Sequence, residues 1–327
     1  MNFTTSVDIP KTSLSITHQQ RLMLLGSCFA DSIGQKLLRE KYQCLVNPFG
    51  TLYNPASIAA LLLRSISEQE YTAQSPEIFT ANNAFSWMHH SSFHAESAEE
   101  LAIKLNKTMH CVAEWLRNCD VLIVTFGSSY IYRLKETGML VANCHKQPDT
   151  LFQRVRLAAY DIADSWTTLL HLLHSVNPKL QIIFTVSPIR HKRDGLHQNQ
   201  LSKAELLLAI DQLQMDFTHY FPSYEIQLDE LRDYRFYVDD MVHPSDLAVQ
   251  YIYHRFADTF IPKDEQQLAA RCGAIADALQ HRPLHTDDQA YNDFLQKTLQ
   301  RIEVIKAQHP YIDFDEEITL CNTKFQK

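Results

Sequence analysis

Apolar positions along this chain switch repeatedly between two periods. Met23-Leu-Leu25 is a continuous apolar run, as a fully buried strand shows, and from Phe29 through Ile33, Leu37 and Leu38 the spacing becomes helical. Gln43-Cys-Leu-Val46 predicts a second short strand, ended by Asn47-Pro48. Asn54-Pro55 then opens a helix with Ile58, Leu61, Leu62 and Ile66 on one face. Residues 71–95 carry no clear period and read as an irregular insertion lying over the core. Leu101, Leu105, Met109, Val112 and Leu116 predict a long helix from Ala95 to Asn118. The strongest strand is Asp120 to Gly127, apolar on both faces and therefore expected at the centre of a parallel sheet.

Further along, Ser128 to Asn143 reads as a hairpin, Leu151 to Val176 as a helix and Gln181 to Pro188 as another buried strand. Residues 190–199 form a charged loop, Leu201 to about Tyr220 a helix, and Tyr224-Glu-Ile-Gln-Leu228 the expected last strand. Ser245 opens a helix through Ala248, Tyr251, Ile252 and Phe256. This strand–helix alternation predicts a doubly wound, mostly parallel α/β domain over residues 1–262. Beyond Pro262 the chain turns Gln- and His-rich with helical periodicity, so residues 263–327 are expected to be a helical C-terminal extension.

An apolar share of 45 % and a charged share of 21 % describe an ordinary globular chain. The net charge of −8 argues against a nucleic-acid partner, which would need a basic face. Seven scattered cysteines, with no C-x-x-C pair, suit reduced thiols better than a disulfide framework. The first twenty residues lack the apolar centre of a signal peptide, and no apolar run approaches the ~20 residues needed to cross a bilayer. A cytoplasmic protein with no membrane partner is expected.

Candidate chemistry begins where the first strand meets the first helix, at Gly26-Ser27-Cys28. A hydroxyl just past the carboxyl end of a strand and beside a helix amino end is a candidate nucleophile next to an anion site. On that stretch alone the preferred reading of Ser27 is the helix N-cap. Asp240-Met-Val-His243 follows the last expected strand and belongs at the same edge. One local turn would put the carboxylate against the imidazole, and a serine hydroxyl needs such an oriented base. Asp239 sits one position too early for that turn. Cys28 is an alternative nucleophile, though its residue type also suits the core. His89, His90 and His94 fit a metal by residue type but lie in no H-E-x-x-H or paired-Cys pattern, so no metal is expected. The chain also lacks the G-x-S-x-G elbow, the P-loop and the dinucleotide fingerprint, and no cofactor is expected.

Gly26-Ser-Cys-Phe-Ala30 resembles the motif that names the GSCFA domain family. Asn47-Pro-Phe-Gly-Thr51, Asn143-Cys-His-Lys146, Ser187-Pro-Ile-Arg-His191 and Asp239 to Pro244 carry the same resemblance, which covers roughly residues 20–260. That family is similar to the SGNH/GDSL hydrolases. The resemblance implies a three-layer α/β/α, flavodoxin-like fold and an esterase-type site with Ser27 as nucleophile, His243 as base and Asp240 as its orienter. The oxyanion donors it implies are the N–H groups of Ser27 and Gly50. A side chain completes them: Ser129, which stands where the hydrolases carry Asn, or Asn143 or Asn54. Arg190 and His191 are candidate contacts to a substrate carboxylate or phosphate. The expected activity is a serine hydrolase acting on a small-molecule or carbohydrate acyl ester. An acyltransferase with the same triad and a non-catalytic binding protein on the same fold are the alternatives.

Overall fold

A computed structural model describes residues 5–280 and 288–325. Its centre is a five-stranded, wholly parallel sheet in the order β11-β10-β6-β1-β2. The strands are β1 (Arg21–Gly26), β2 (Gln43–Val46), β6 (Val121–Phe126), β10 (Gln181–Val186) and β11 (Thr218–Phe221). Numbered by position within that sheet, the order is 2-1-3-4-5, the flavodoxin-like winding. Its switch point lies between β1 and β6.

Alternate residues of each strand feed two different apolar layers, as a period of two requires. Met23, Leu25, Leu122, Val124, Ile182 and Phe184 pack under α2 (Pro55–Ile66), α3 (Ala98–Asn118), α4 (Ala159–Val176) and α5 (Leu196–Asp211). Leu22, Leu24, Val121, Ile123 and Ile183 pack under α1 (Cys28–Arg39) and α7 (Asp246–Phe260). The fold is therefore three-layer α/β/α, as expected. Helix starts fall where capping chemistry places them. The Asn54 side chain accepts the Ser57 N–H at 2.8 Å with Pro55 at the first turn, and Ser245 caps α7 through the Ala248 N–H at 3.4 Å.

Two small antiparallel sheets decorate this frame. β3 (Ile78–Thr80), β4 (Ala84–Ser86) and β5 (His94–Ala95) organise the segment expected to be irregular, and they pack with α3. The expected hairpin is present as β7 (Tyr130–Leu134) and β8 (Leu140–Val141). Its third strand, β9 (Phe152–Arg156), corrects the sequence expectation, which began a helix at Leu151. Pairing with β7 overrides the local pattern there, and α4 begins only at Ala159. The last strand is also corrected. It is β11, ending at Phe221; α5 stops at Asp211, and Tyr224–Leu228 is helical: one turn, α6 (Ser223–Glu225), running into a π-turn over Ile226–Glu230. Tyr224 and Ile226 alternate like a strand and are both buried, but β11 already holds the place beside β10.

α8 (Lys263–Gln280), α9 (Asp288–Gln308) and α10 (Asp315–Phe325) share a separate apolar cluster built on Cys272, Ile275, Leu295, Ile302 and Phe314. Residues 281–287, inside the expected helical stretch, lie outside the described residues. The group is tied to the segment before β1 by the His18–Glu265 contact and to the turn after α1 by Lys41 Nζ to Glu317 Oε1 at 2.6 Å. Cys28, Cys44, Cys111, Cys119, Cys144 and Cys272 are free thiols. Among the described residues, no helix is long and apolar enough to cross a membrane.

Candidate functional site

Ligands of open α/β sheets bind outside the carboxyl ends of the strands, at the switch point. The residues found at that edge here are Ser27 after β1, Gly127 after β6 and Ser187 to His191 after β10. Gly26 makes the join between β1 and α1 with φ +136°, a value that side-chain-bearing residues rarely adopt. Its N–H donates to Asn47 Oδ1 at 2.8 Å. Asn47 Nδ2 in turn donates to Asp31 Oδ1 at 2.8 Å, and Thr51 Oγ1 to Asp31 Oδ2 at 3.2 Å. The loop after β2 is thereby fastened to the first turn of α1.

Ser27 is 1 % exposed, and its Oγ accepts the Phe29 N–H at 3.3 Å. It is the N-cap of α1 in this arrangement. Cys28 is partly exposed, with its Sγ 3.6 Å from the Tyr53 hydroxyl.

Asp240 and His243 meet as the spacing predicts. Asp240 Oδ2 lies 2.6 Å from His243 Nδ1, and Asp240 Oδ1 accepts the N–H groups of Val242 at 2.7 Å and His243 at 3.0 Å. These backbone and ring donors hold the carboxyl down to about 2. The turn takes this shape through Met241, at φ +58°, and through closure of the loop by Val238 N–H to the His243 carbonyl at 2.9 Å. Both members of the pair are roughly half exposed. No hydrogen bond joins His243 to Ser27 among the described residues. The His243 loop is tied to Arg190, past β10, while Ser27 follows β1.

Three of the expected oxyanion donors, the N–H groups of Ser27 and Gly50 and the Ser129 hydroxyl, are engaged elsewhere. The Ser27 N–H donates to the Thr125 carbonyl at 3.3 Å. The Gly50 N–H closes its own turn onto the Asn47 carbonyl at 2.7 Å. Gly50 is a glycine because its φ is +74° and a Cβ there would stand 2.1 Å from His90 Cβ. Ser129 is wholly buried, with its N–H and Oγ both donating to Ser202 Oγ, at 2.9 and 3.1 Å. Asn143 Oδ1 accepts the His145 N–H at 2.9 Å, and its own N–H reaches the Trp87 carbonyl at 3.1 Å. It shapes a turn beside β4, where the His145 ring stacks on Phe85. Asn54 uses its oxygen as a cap.

Arg190 reaches the loop of Asp240 and His243. Its N–H donates to the Val242 carbonyl at 3.1 Å and its guanidinium to the Met241 carbonyl at 3.2 Å. The guanidinium also lies 5.3 Å from the centre of the Tyr237 ring. Arg190 therefore holds the loop that carries Asp240 and His243. The His191 ring lies edge-on to Tyr53, with Nε2 3.4 Å from where a Cβ on Gly127 would stand. His89, one of the metal candidates, is buried, bonded through Nδ1 to Ser86 Oγ at 2.8 Å and packed against Phe49, Tyr71 and Phe93. No group of three or more metal-ligating side chains is found among the described residues.

Sequence reasoning missed the polar face of α5. Lys203 is fully buried, and its Nζ donates to the Gly127 and Ser187 carbonyls, both at 2.7 Å. Burial pushes its amine down to about 7. A signal was present: Asn199, Ser202 and Lys203 share the i, i+3, i+4, i+7 stripe with Leu206, the face that a surface helix turns to the core.

No curated protein matches the chain. The model of the GSCFA domain protein C-terminal domain matches residues 272–327, and that of the GSCFA family matches residues 21–256. The second match takes in the whole parallel sheet, Ser27 and the Asp240–His243 pair, and by it the chain belongs to the GSCFA family.

Proposed function

We propose that this protein is a serine hydrolase of the SGNH/GDSL type, cleaving an acyl ester with Ser27 as nucleophile, His243 as base and Asp240 as its orienter. The observation that carries this reading is the 2.6 Å contact between Asp240 and His243 Nδ1, on a loop that Arg190 ties to the sheet edge where Ser27 stands. A carboxylate at Nδ1 fixes the tautomer that leaves Nε2 as the proton acceptor. Ser27 Oγ attacks the ester carbonyl while its proton passes to Nε2. The proton then goes to the leaving alcohol, and water, activated by the same nitrogen, releases the acid. The reading requires Ser27 Oγ to leave Phe29 N–H and meet His243 once substrate is bound. Catalytic hydrogen bonds are often long or unmade before that stage.

A second reading, a binding protein on the same scaffold, is favoured by one observation: the N–H groups of Ser27 and Gly50 and the Ser129 hydroxyl all have internal partners. Turnover of short-chain nitrophenyl esters separates the two. The hydrolase reading requires activity in the wild type and its loss in both Ser27→Ala and His243→Ala. Equal behaviour of wild type and Ser27→Ala overturns it. Activity that survives Ser27→Ala but not Cys28→Ala moves the nucleophile by one residue. Product analysis with a competing alcohol distinguishes transfer from hydrolysis.

A further inference from the structure

One turn of α5 sends three buried side chains to the loops at the carboxyl edge of the sheet. Asn199 Oδ1 accepts the His191 N–H at 2.9 Å. Ser202 Oγ accepts from the Ser129 N–H at 2.9 Å and lies 3.3 Å from Ser128 Oγ. Lys203 Nζ bridges the Gly127 and Ser187 carbonyls. Those carbonyls belong to the first residues past two adjacent strands, β6 and β10. From the other side, the Tyr53 carbonyl accepts the N–H groups of Gly127 and Ser128, both at 2.8 Å. The loop after β6 is thus gripped on both faces.

Lys203 has no carboxylate partner among the described residues. Its neighbours are two carbonyls and the Tyr224 ring, whose centre is 5.4 Å from Nζ. Burying an amine without a counter-charge is unfavourable. A helix turned outward at this position would avoid that cost, but it would leave two carbonyls without donors under the cleft. Either protonation state keeps at least two N–H donors, which is the number of carbonyls to be held. A merely tolerated lysine would not be expected to reach both strand ends at ideal distance.

Resting on the esterase reading, we propose that Lys203 is a positioning residue of the Ser27 site. It holds the loops after β6 and β10, and with them His191 and the Arg190-anchored His243 loop, in the arrangement the chemical step needs. Lys203→Met keeps the stem and removes the donors, and Lys203→Gln keeps a donor on a shorter stem. Two measurements are compared across wild type and both variants: hydrogen exchange at the amides of Gly127, Ser128 and His191, and the rate of Ser27 labelling by a fluorophosphonate probe. In Lys203→Met, exchange at these amides should rise by roughly tenfold or more, with β1 amides unchanged. Labelling should slow by a similar factor while KM for a nitrophenyl ester stays within about twofold, because orientation and not capture is lost. Lys203→Gln should fall between, and it supplies the comparison if Lys203→Met does not fold. Unchanged exchange, or faster exchange with labelling at the wild-type rate, overturns the proposal. A wild type that is never labelled overturns the esterase reading instead, and exchange alone then decides whether Lys203 holds the loops.

Discussion

A Cβ placed on Gly26 would lie 2.1 Å from the carbonyl oxygen of Thr125. β1 and β6 approach this closely where the candidate nucleophile leaves the sheet, because no side chain stands between them. The obstacle is backbone, which cannot swing aside as the end of a flexible side chain would. Gly26→Ala should therefore cost more than ~3 kcal/mol, from the clash together with φ +136°. Urea denaturation should show a collapsed midpoint or no folded baseline. A midpoint within experimental error of wild type would mean that the strands can separate there without loss.

Asp240 is held down to about 2 by the donors around it, so its carboxylate stays ionised at any pH at which an esterase would be assayed. Asp240→Asn keeps the size of the side chain but removes the charge and offers the ring the wrong hydrogen bond. On the hydrolase reading, the rate should fall by about 10³–10⁴-fold. The wild-type pH–rate profile should show no limb from this carboxyl above pH ~4. A limb near pH 4 that disappears in Asp240→Asn would contradict that.

Lys203 links stability to pH in a defined direction. Its folded value of about 7 lies below the ordinary 10.5, so between the two the unfolded chain binds the proton and the folded one does not. The stability this contributes is complete above the unfolded value and is lost as pH falls through the folded one. Relative to Lys203→Met, the wild type should gain stability as pH rises from about 7 to about 10. Paired urea melts across that window measure the difference, and parallel curves would show that the amine is not sequestered.

His89 works in the acid range with the same logic. Burial among aromatic rings holds its imidazole down to about 3, against an ordinary 6.5. Stability from the neutral ring is full above the unfolded value and drains away as pH falls toward the folded one. His89→Phe, which cannot bind a proton, should be less acid-sensitive than wild type between pH 6.5 and 3. Thermal melts in that range check it, and identical acid slopes would refute it.

Arg190 ties the loop of Asp240 and His243 to the end of β10, and its loss should loosen that loop without unfolding the core. In Arg190→Ala, exchange at the Val242 and His243 amides should accelerate by roughly tenfold. The denaturation midpoint should move little, because the guanidinium bond is near the surface. Unchanged exchange would show that the Asp240 contacts alone hold the turn.

Much of the parallel sheet was legible from the chain alone. Met23 to Leu25, Val121 to Val124 and Ile182 to Phe184 are apolar on successive residues, as a strand covered on both faces requires. Ser27, Asn54 and Ser245 announced helix starts because capping is local chemistry, settled within three residues. The Asp240–His243 contact was equally local, made inside one turn. Periodicity reports that a segment is buried but not what it is buried against. So Phe152–Arg156 joined β7 through residues twenty positions away, and Tyr224–Leu228 folded as a helix because β11 had taken the sheet edge. Polar groups are still less predictable, since each hydrogen bond goes to whichever partner packing brings near. Ser129 faces Ser202, and Arg190 faces Met241. Lys203 meets the Gly127 and Ser187 carbonyls because α5 lays its polar stripe against two strand ends, an arrangement only the assembled chain decides.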